Sequence, residues 1–350
     1  MRRRWWLASA WVLVAVPVAV AVLLPRGGGE SADGHECPVA STQPTGTVQS
    51  VAVDGWVDGV TTISDCSVWV ATREGSVLRL DSNGSMTEDI DIGPHLPQAP
   101  PNMSFYSTSA MAASADAVWL VVEQVDNDGV AFSPTLVKID VSEGTVGGSL
   151  PLFPTQESRE SEWLAVGANQ VWVEKASSDH SVSRIDPATV NVDSTIEPPV
   201  EGYGIGLAID EDENLWIGAT DEVSMIDPAT GAVVSTVAVP SGEQSGSGVN
   251  PFSGAGSVWV CNTPAGLYRV DPRARRVTSV TADSSCAWIE AVTDDAVYVM
   301  TDGNELRRIE AATSAVTQSI PIGFQLLDVA VSGATCWLVD FEGQLSRVTL

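Results

Sequence analysis

Acidic residues recur in the short connections that follow the aromatic-centred hydrophobic runs of this 350-residue chain. Carboxylate oxygens are the ligands that Ca²⁺ and Mg²⁺ prefer, and a ring of them also attracts a cationic partner. The predicted binding residues are Glu74, Asp128, His180, Asp221, Asp302 and Asp340. The same connections also carry Asp126, Asp179, Glu222, Glu305 and Glu342. In so acidic a chain, the alternative is that all of these are solvated loop residues without a ligand.

The sequence predicts no catalytic residue. Of the three histidines, His35, His95 and His180, only His180 falls in one of these connections, and no Ser or Cys nucleophile is recognisably paired with it. No C-x-x-C spacing indicates a zinc site. No cofactor is assigned; if one binds, the acidic connections favour Ca²⁺ or Mg²⁺.

A repeated unit positions these connections. Seven aromatic-centred runs such as VWV and LWIG recur at intervals of 39 to 53 residues. Their central residues are Trp69, Trp119, Trp172, Trp216, Trp259, Tyr298 and Trp337. This interval is typical of β-propeller blades. Helical solenoids have repeats of similar length, but these runs are short, Val-rich and without a 3.6-residue period.

The predicted fold is therefore all-β: a seven-bladed β-propeller of four-stranded blades over residues 46–350. In the fourth unit, the strands are predicted at 206–210, 215–219, 223–227 and 233–239, labelled a to d from the channel outward. Between c and d, the segment DPATG at Asp227 predicts a hairpin turn, because Asp bonds its own turn and Pro presets φ. The central tryptophans are predicted to fill the gaps between blades.

The last unit ends at Leu350 without a d strand, so residues 48–53 are predicted to supply it and close the ring. Because strand direction alternates, the b–c connections and the d–a connections between blades share one face, here called the top face. The a–b and c–d connections form the bottom face. The long insertions fall on the top face, which makes it the predicted binding face.

The N-terminus carries a membrane signal. Residues 1–4 contain three arginines, and residues 5–24 are uncharged and long enough to cross a bilayer as a helix. Basic residues before the span predict a single-pass signal anchor in the cell membrane, with the C-terminal domain extracytoplasmic. A cleaved signal peptide is the alternative, but no small-x-small site follows the span. Residues 25–45, rich in Gly, Ser and Pro, are predicted to be a flexible tether.

The charge balance restricts the partners. Lys and Arg number 17 against 45 Asp and Glu, which gives a net charge of −28. This charge repels nucleic acid and anionic lipid headgroups, so contact with the membrane is predicted only through the N-terminal helix. The predicted partner is a protein or small-molecule ligand whose identity the sequence does not indicate.

Five cysteines can be placed on the strand map. Cys261 and Cys286 both fall at the top face of blades 5 and 6. Cys66 and Cys336 both fall at the bottom face where blades 7 and 1 meet. These two pairs are possible disulfides in an oxidising compartment, with Cys37 in the tether as a competing partner in the second pair.

The segment GLAIDEDENLWIGATDEVSMIDPATGAVV resembles the repeat of virginiamycin B (streptogramin) lyase-like proteins and of their NHL and YVTN propeller relatives. The resemblance extends over residues 46–350. It implies the propeller fold, and for the lyases a site of histidines with a glutamate and a magnesium ion. No histidine follows residue 180, so no lyase residue is carried over. Lactonase-like propellers, which are also similar, bind a divalent metal through acidic and amide side chains.

Two functions follow from these observations. The first is a membrane-tethered extracytoplasmic interaction module that performs no chemistry. The second is a metal-dependent enzyme, a lyase of the streptogramin type or a lactonase-like hydrolase, with its site on the top face. The absence of a recognisable catalytic set favours the first.

Overall fold

The computed structural model describes residues 37, 45–99, 102–152, 163–174, 181–198, 206–240, 249–262, 266–280 and 286–350, and the backbone of 157–158. The predicted anchor, residues 5–24, lies outside the described residues, as does nearly all of the predicted tether. Within them, no helix is long and apolar enough to cross a membrane.

Seven antiparallel sheets make up the described chain. Blade 1 consists of β2 (Val57–Thr62), β3 (Val68–Thr72), β4 (Ser76–Leu80) and β5 (Met86–Asp91), followed by a 3-10 helix at Gly93–His95. Blade 2 consists of β6 (Met103–Ala113), β7 (Ala117–Asp126), β8 (Ala131–Asp140) and β9 (Thr145–Pro151), with β10 (Glu157–Ser158) added. Blade 3 consists of β11 (Leu164–Val166), β12 (Val171–Glu174), β13 (Val182–Asp186) and β14 (Asn191–Ile196).

The remaining blades follow the same order. Blade 4 consists of β15 (Leu207–Ile209), β16 (Leu215–Gly218), β17 (Glu222–Ile226) and β18 (Val233–Ala238). Blade 5 consists of β19 (Asn250–Gly254), β20 (Ser257–Asn262), β21 (Gly266–Asp271) and β22 (Arg276–Ser279). Blade 6 consists of β23 (Trp288–Val292), β24 (Ala296–Met300), β25 (Glu305–Glu310) and β26 (Val316–Pro321). Blade 7 consists of β27 (Leu326–Ser332), β28 (Thr335–Asp340), β29 (Leu345–Thr349) and β1 (Val48–Val51).

The ring closes as predicted. The inner strands β2, β6, β11, β15, β19, β23 and β27 contact one another in that order, and β27 contacts β2 again. Strand β1 pairs antiparallel with β29, with Val48 opposite Val348 and Val51 opposite Leu345. The N-terminal strand therefore completes blade 7. The seven-bladed propeller of four-stranded blades is confirmed, and the transmembrane helix stays a prediction.

Blade 2 departs from the predicted four strands. Its strands β6, β7 and β8 have 11, 10 and 10 residues, and β10 pairs with the outer edge of β8 at Phe132 and Ala131. The extra length lies at the top ends of these strands. Blade 2 therefore extends further over the top face than its neighbours.

One aromatic anchor fills each gap between blades. Seven separate buried clusters lie at the seven blade interfaces, and each contains one anchor. From the blade 1–blade 2 interface onward, the anchors are Trp69, Trp119, Trp172, Trp216, Trp259, Tyr298 and Trp337. All seven are among the largest fully buried side chains, so the predicted packing role is confirmed.

The residue opposite each anchor on the c strand is basic in six of the seven blades. These residues are Arg79, Lys138, Arg184, Arg269, Arg308 and Arg347, and Met225 takes the position in blade 4. The cations of Arg79, Lys138 and Arg269 lie 5.2, 5.9 and 5.4 Å from the ring centroids of their anchors. Such contacts favour the pairing by cation–π attraction. Six of the chain's 17 Lys and Arg residues therefore belong to the scaffold.

The Asp-led turns between the c and d strands form as predicted. In the DPATG turn, Asp227 Oδ1 accepts hydrogen bonds from the backbone of Ala229 and Thr230 at 2.8 and 3.2 Å. Gly231 closes the turn at a φ of 70°, in the left-handed region that glycine tolerates best. Asp227 therefore serves the scaffold rather than a metal or a catalytic step.

One of the two predicted disulfides is wrong. Cys261 pairs with Cys286 as predicted, but Cys66 pairs with Cys37, the competing partner, and Cys336 is a free buried thiol. The reason is strand parity. Trp337 packs in the blade 7–blade 1 interface, so its neighbour Cys336 points the other way, into the blade 6–blade 7 core beside Tyr298. A thiol on that face cannot reach Cys66 in blade 1.

The packing role of the anchors predicts that two tryptophans contribute very differently to the free energy of unfolding. Trp259→Ala should lower the free energy of unfolding by about 3–5 kcal/mol, because it empties the gap between blades 5 and 6. Trp288→Ala, which removes a ring that is 37% exposed, should cost much less. Chemical denaturation of both variants measures the difference, and equal losses would contradict the role assigned to the anchors.

Candidate functional site

The predicted top-face carboxylates are spread around the ring rather than gathered at one point. Asp128, Asp221 and Asp302 are exposed in the turns of blades 2, 4 and 6. Their side chains make no hydrogen bond or ion pair with any described residue. Within the described chain, no three His, Cys, Asp or Glu side chains are grouped so that they could hold a metal ion. A Ca²⁺ or Mg²⁺ site therefore stays a prediction, and His180 lies outside the described residues.

The other two predicted residues support local structure. Both carboxylate oxygens of Glu74 accept the backbone N–H of Trp56, at 3.3 and 3.2 Å. Asp340 Oδ1 accepts the backbone N–H groups of Glu342 and Gln344, both at 2.9 Å, which holds the turn between β28 and β29. These acids fix the loops of blades 1 and 7 and have less freedom to bind a ligand than the three exposed aspartates.

A second group of carboxylates, which the sequence analysis missed, lies on the inner strands. Asp58, Glu290 and Asp328 belong to the a strands of blades 1, 6 and 7, which are consecutive around the closed ring. Each acid lies at or next to a register shift: between Val57 and Gly59, between Ile289 and Ala291, and between Leu326 and Asp328. A β-bulge of this kind inserts an unpaired residue and redirects side chains.

Asp328 ties blade 7 to blade 1. Its Oδ2 accepts the backbone N–H of Val60 at 2.8 Å, and its Oδ1 accepts the N–H of Val329 at 2.8 Å. The residue is 7% exposed. Burial, and the neighbouring charges of Glu290 and Asp58, raise the pKa of Asp328 to about 8. A proton is therefore retained here far above the ordinary range of a carboxyl group.

Asp58 ties blade 1 to blade 2 in the same way. Its Oδ2 accepts the backbone N–H of Thr108 at 2.9 Å, and its Oδ1 bonds Nε of Arg73 at 3.0 Å. The hydrogen bonds of Asp58 and Asp328 both join an acid on one inner strand to the backbone of the next blade. Peptide N–H groups left unpaired by the irregular strands are satisfied by this arrangement.

Arg73 is held between two aromatic rings at the top of blade 1. Its guanidinium carbon lies 4.5 Å from the ring centroid of Trp56 and 4.9 Å from that of Phe105. Backbone bonds fix the stack, since the N–H of Arg73 bonds to the carbonyl of Trp56 and the N–H of Tyr106 bonds to the carbonyl of Arg73, both at 2.9 Å. Arg73 is therefore committed to Asp58 and to the rings, and is not available to the other acids.

Glu290 differs from the other two inner-strand acids because it has no hydrogen bond or ion pair with any described residue. It is half-buried on β23, and burial raises its pKa to about 7. An aromatic side chain lies at the top end of the same strand, where Trp288 is 37% exposed. This inner-strand group, Asp58, Glu290 and Asp328, is called the channel acids below.

One feature of the sequence could have indicated the channel acids. Each interrupts a strand that is otherwise apolar, in the segments VDGV, WIEAV and LLDVAV. A lone acid in an inner strand is costly unless it is paired, so it indicates either a structural bond or a function. The alternation of the strands gave no indication of the bulges that aim these side chains.

Comparison with known proteins supports the fold and nothing finer. No protein-family model matches the chain, and no curated protein matches it. A chain of the mitotic checkpoint complex is similar at a TM-score of 0.63 and 12% identity, over 93% of this chain and 99% of that one. The Myceliophteria thermophila Cps50 (Swd1) β-propeller domain is similar at a TM-score of 0.61 and 10% identity, over 87% and 100%. The resemblance to streptogramin lyases stays a prediction.

The channel acids predict an unusual dependence of stability on pH. The folded-state pKa values of Glu290 and Asp328 lie above the unfolded values, so their contribution to stability is fully present below about pH 4 and is lost as the pH rises towards 8. Between pH 5 and 8, the free energy of unfolding should therefore fall by an amount on the order of a few kcal/mol.

Denaturant unfolding of Asp328→Asn at pH 5, 6, 7 and 8 checks this dependence. The variant should show a shallower slope than the wild type, whatever its absolute stability. Asp294→Asn, at an exposed bottom-face site, should keep the wild-type slope. An Asp328→Asn slope equal to that of the wild type would show that this carboxyl does not retain its proton.

Proposed function

We propose that this protein is a membrane-tethered, extracytoplasmic interaction module whose top face binds a basic protein partner. The proposal depends on one observation: Asp128, Asp221 and Asp302 are exposed on three blades of that face without a cationic partner among the described residues. Uncompensated carboxylates on a rigid ring present a fixed negative field, which favours and steers the approach of a positively charged surface. β-Propellers commonly serve as protein-interaction modules, which agrees with this reading.

The distribution of basic residues supports a basic rather than an acidic partner. Six of the chain's 17 Lys and Arg residues lie opposite the buried anchors, where they are part of the scaffold. Arg73, in the top-face turn of blade 1, is bound by Asp58. The described top-face loops therefore have few positive charges to offset their acids. Binding, rather than catalysis, is the function that such separated charges favour.

The disulfide at Cys37 supports an orientation for the tether. Cys37 is bonded to Cys66, which follows β2 at the bottom face, and its sulfur lies 3.2 Å from Oγ of Ser332 at the bottom of blade 7. The chain therefore enters the propeller on its bottom face, at Cys37. If residues 5–24 span the membrane, residues 25–36 allow a separation of at most about 40 Å, and the top face points away from the bilayer. Disulfides also favour an oxidising compartment.

Charge removal on one face tests the binding proposal. An oligolysine peptide should bind the triple variant Asp128→Asn/Asp221→Asn/Asp302→Asn about tenfold more weakly than the wild type, because three attractions are lost. The control is Glu143→Gln/Asp212→Asn/Asp294→Asn, which removes the same charge from the bottom face and should change affinity less than about threefold. Fluorescence anisotropy at low salt measures both. Equal losses would indicate attraction to net charge and would contradict a top-face site.

Fluorescence quenching in vesicles tests the orientation. A fluorophore is attached through an unnatural amino acid at position 302 on the top face or 294 on the bottom face of the full chain. A quencher on the lipid headgroups should quench the label at 294 more strongly, because the disulfide holds that face towards the membrane. Cys37→Ser should reduce the difference, since the tether is then released as far as residue 45. Equal quenching at both sites in the wild type would contradict the orientation.

A further inference from the structure

Glu290 lies between two residues that pack in different cores. On β23, Ile289 packs in the blade 5–blade 6 core and Ala291 packs in the blade 6–blade 7 core. The register shift between them leaves Glu290 as the inserted residue. Strand β23 is innermost, between β19 and β27, so the partly buried side chain lies at the central channel. The bulge therefore presents one carboxylate to the channel.

The groups around Glu290 supply no counter-ion within the described chain. On β27, Asp328 is negative when ionised, and its oxygens are already bonded to Val60 and Val329. On β2, Asp58 is bonded to Arg73 and Thr108. Strand β19, and the β24 residues opposite Ile289 and Ala291, hold one titratable side chain, the phenol of Tyr298, whose pKa burial raises. Glu290 is thus the channel acid whose oxygens remain free.

An exposed aromatic side chain lies at the top end of the strand that carries this carboxylate. Trp288 begins β23 and is 37% exposed, whereas the ring of Trp56, which immediately precedes β2, is already stacked on the guanidinium of Arg73. An exposed aromatic face together with an enclosed carboxylate is the chemistry that recognises an ammonium or guanidinium group. A divalent metal would need more free oxygens than Glu290 offers within the described chain.

We propose that the mouth of the channel between blades 6 and 7 binds one lysine or arginine side chain of a partner protein, with Glu290 as its counter-ion. The inference deepens the proposed function and rests on it, since the cation belongs to the basic partner of the top face. The aromatic ring of Trp288 contacts the alkyl stem or the guanidinium plane, and the exposed loop aspartates attract the rest of the partner.

A proton competes with this cation. Without a ligand, Glu290 is largely protonated below about pH 7, because its pKa is raised by burial. A cation binds the ionised form, so binding releases a proton near neutral pH. Affinity should therefore increase from about pH 6 to about pH 8 and then level off. Attraction to carboxyl groups that titrate like a free Asp or Glu side chain would not change over this range.

Calorimetry with a matched pair of peptides tests the site. The full chain in neutral detergent is titrated with a capped Gly-Arg-Gly peptide and with its citrulline analogue, which has the same shape without the charge. The arginine peptide should bind in the millimolar range at pH 8, and the citrulline peptide should bind at least about tenfold more weakly. Two buffers of different ionisation enthalpy should reveal proton release at pH 7. Equal binding of the two peptides would overturn the proposal.

Two variants assign the binding to this carboxylate. Glu290→Gln should weaken the arginine peptide at least about tenfold at pH 8 and abolish the proton release, whereas Asp294→Asn should change neither. Trp288→Ala should weaken binding without changing the proton release, and it keeps the proposal testable if Glu290→Gln folds poorly. Unchanged affinity for the arginine peptide in both variants would overturn the proposal. Loss of oligolysine binding in the top-face triple variant, with no arginine-peptide binding to the wild type, would refute this site and leave the proposed function standing.

Discussion

The aromatic ring in each gap between blades is the contact on which this propeller depends. Twisted sheets arranged around an axis diverge outward, so each interface is a wedge that only a large side chain fills. The same position requires a cross-strand neighbour that covers the ring, and in six blades this is Lys or Arg. The requirement has an electrostatic consequence. Six basic residues belong to the scaffold, and Asp128, Asp221 and Asp302 on the top face have no cationic partner in the described chain.

The scaffold was predictable because its signals are local. Period-two alternation and Asp-led turns place the strands of blade 4 to within one or two residues; the run predicted at 215–219 is observed as Leu215–Gly218. The closing strand was predictable from an unpaired edge, which a stable sheet does not leave exposed. The spacing of the loop acids was not predictable, because it depends on how far apart the blades hold their turns.

The missed features depend on which face of a strand a side chain takes. A bulge adds one residue and reverses the side of everything beyond it, and no pattern in VDGV or WIEAV marks where it occurs. In β28, by contrast, the anchor determines the direction of the neighbouring side chain. Trp337 faces blade 1, so Cys336 must face blade 6. Once the anchors are assigned to interfaces, this parity excludes the 66–336 disulfide from the sequence alone.

The junction of blades 7 and 1 would link stability to the proposed binding. Strand pairing of β1 with β29 closes blade 7, and three further ties reinforce the junction: Asp328 to Val60, Thr62 to the carbonyl of Val331, and the disulfide-bound Cys37 beside Ser332. Asp328 becomes the costly tie once it ionises, above about pH 8, because its charge is then buried beside that of Glu290. A cation on Glu290 would reduce that repulsion. A ligand that stabilises the junction binds more tightly to the closed ring than to an open one. Binding at the channel mouth and closure of the propeller would therefore strengthen each other.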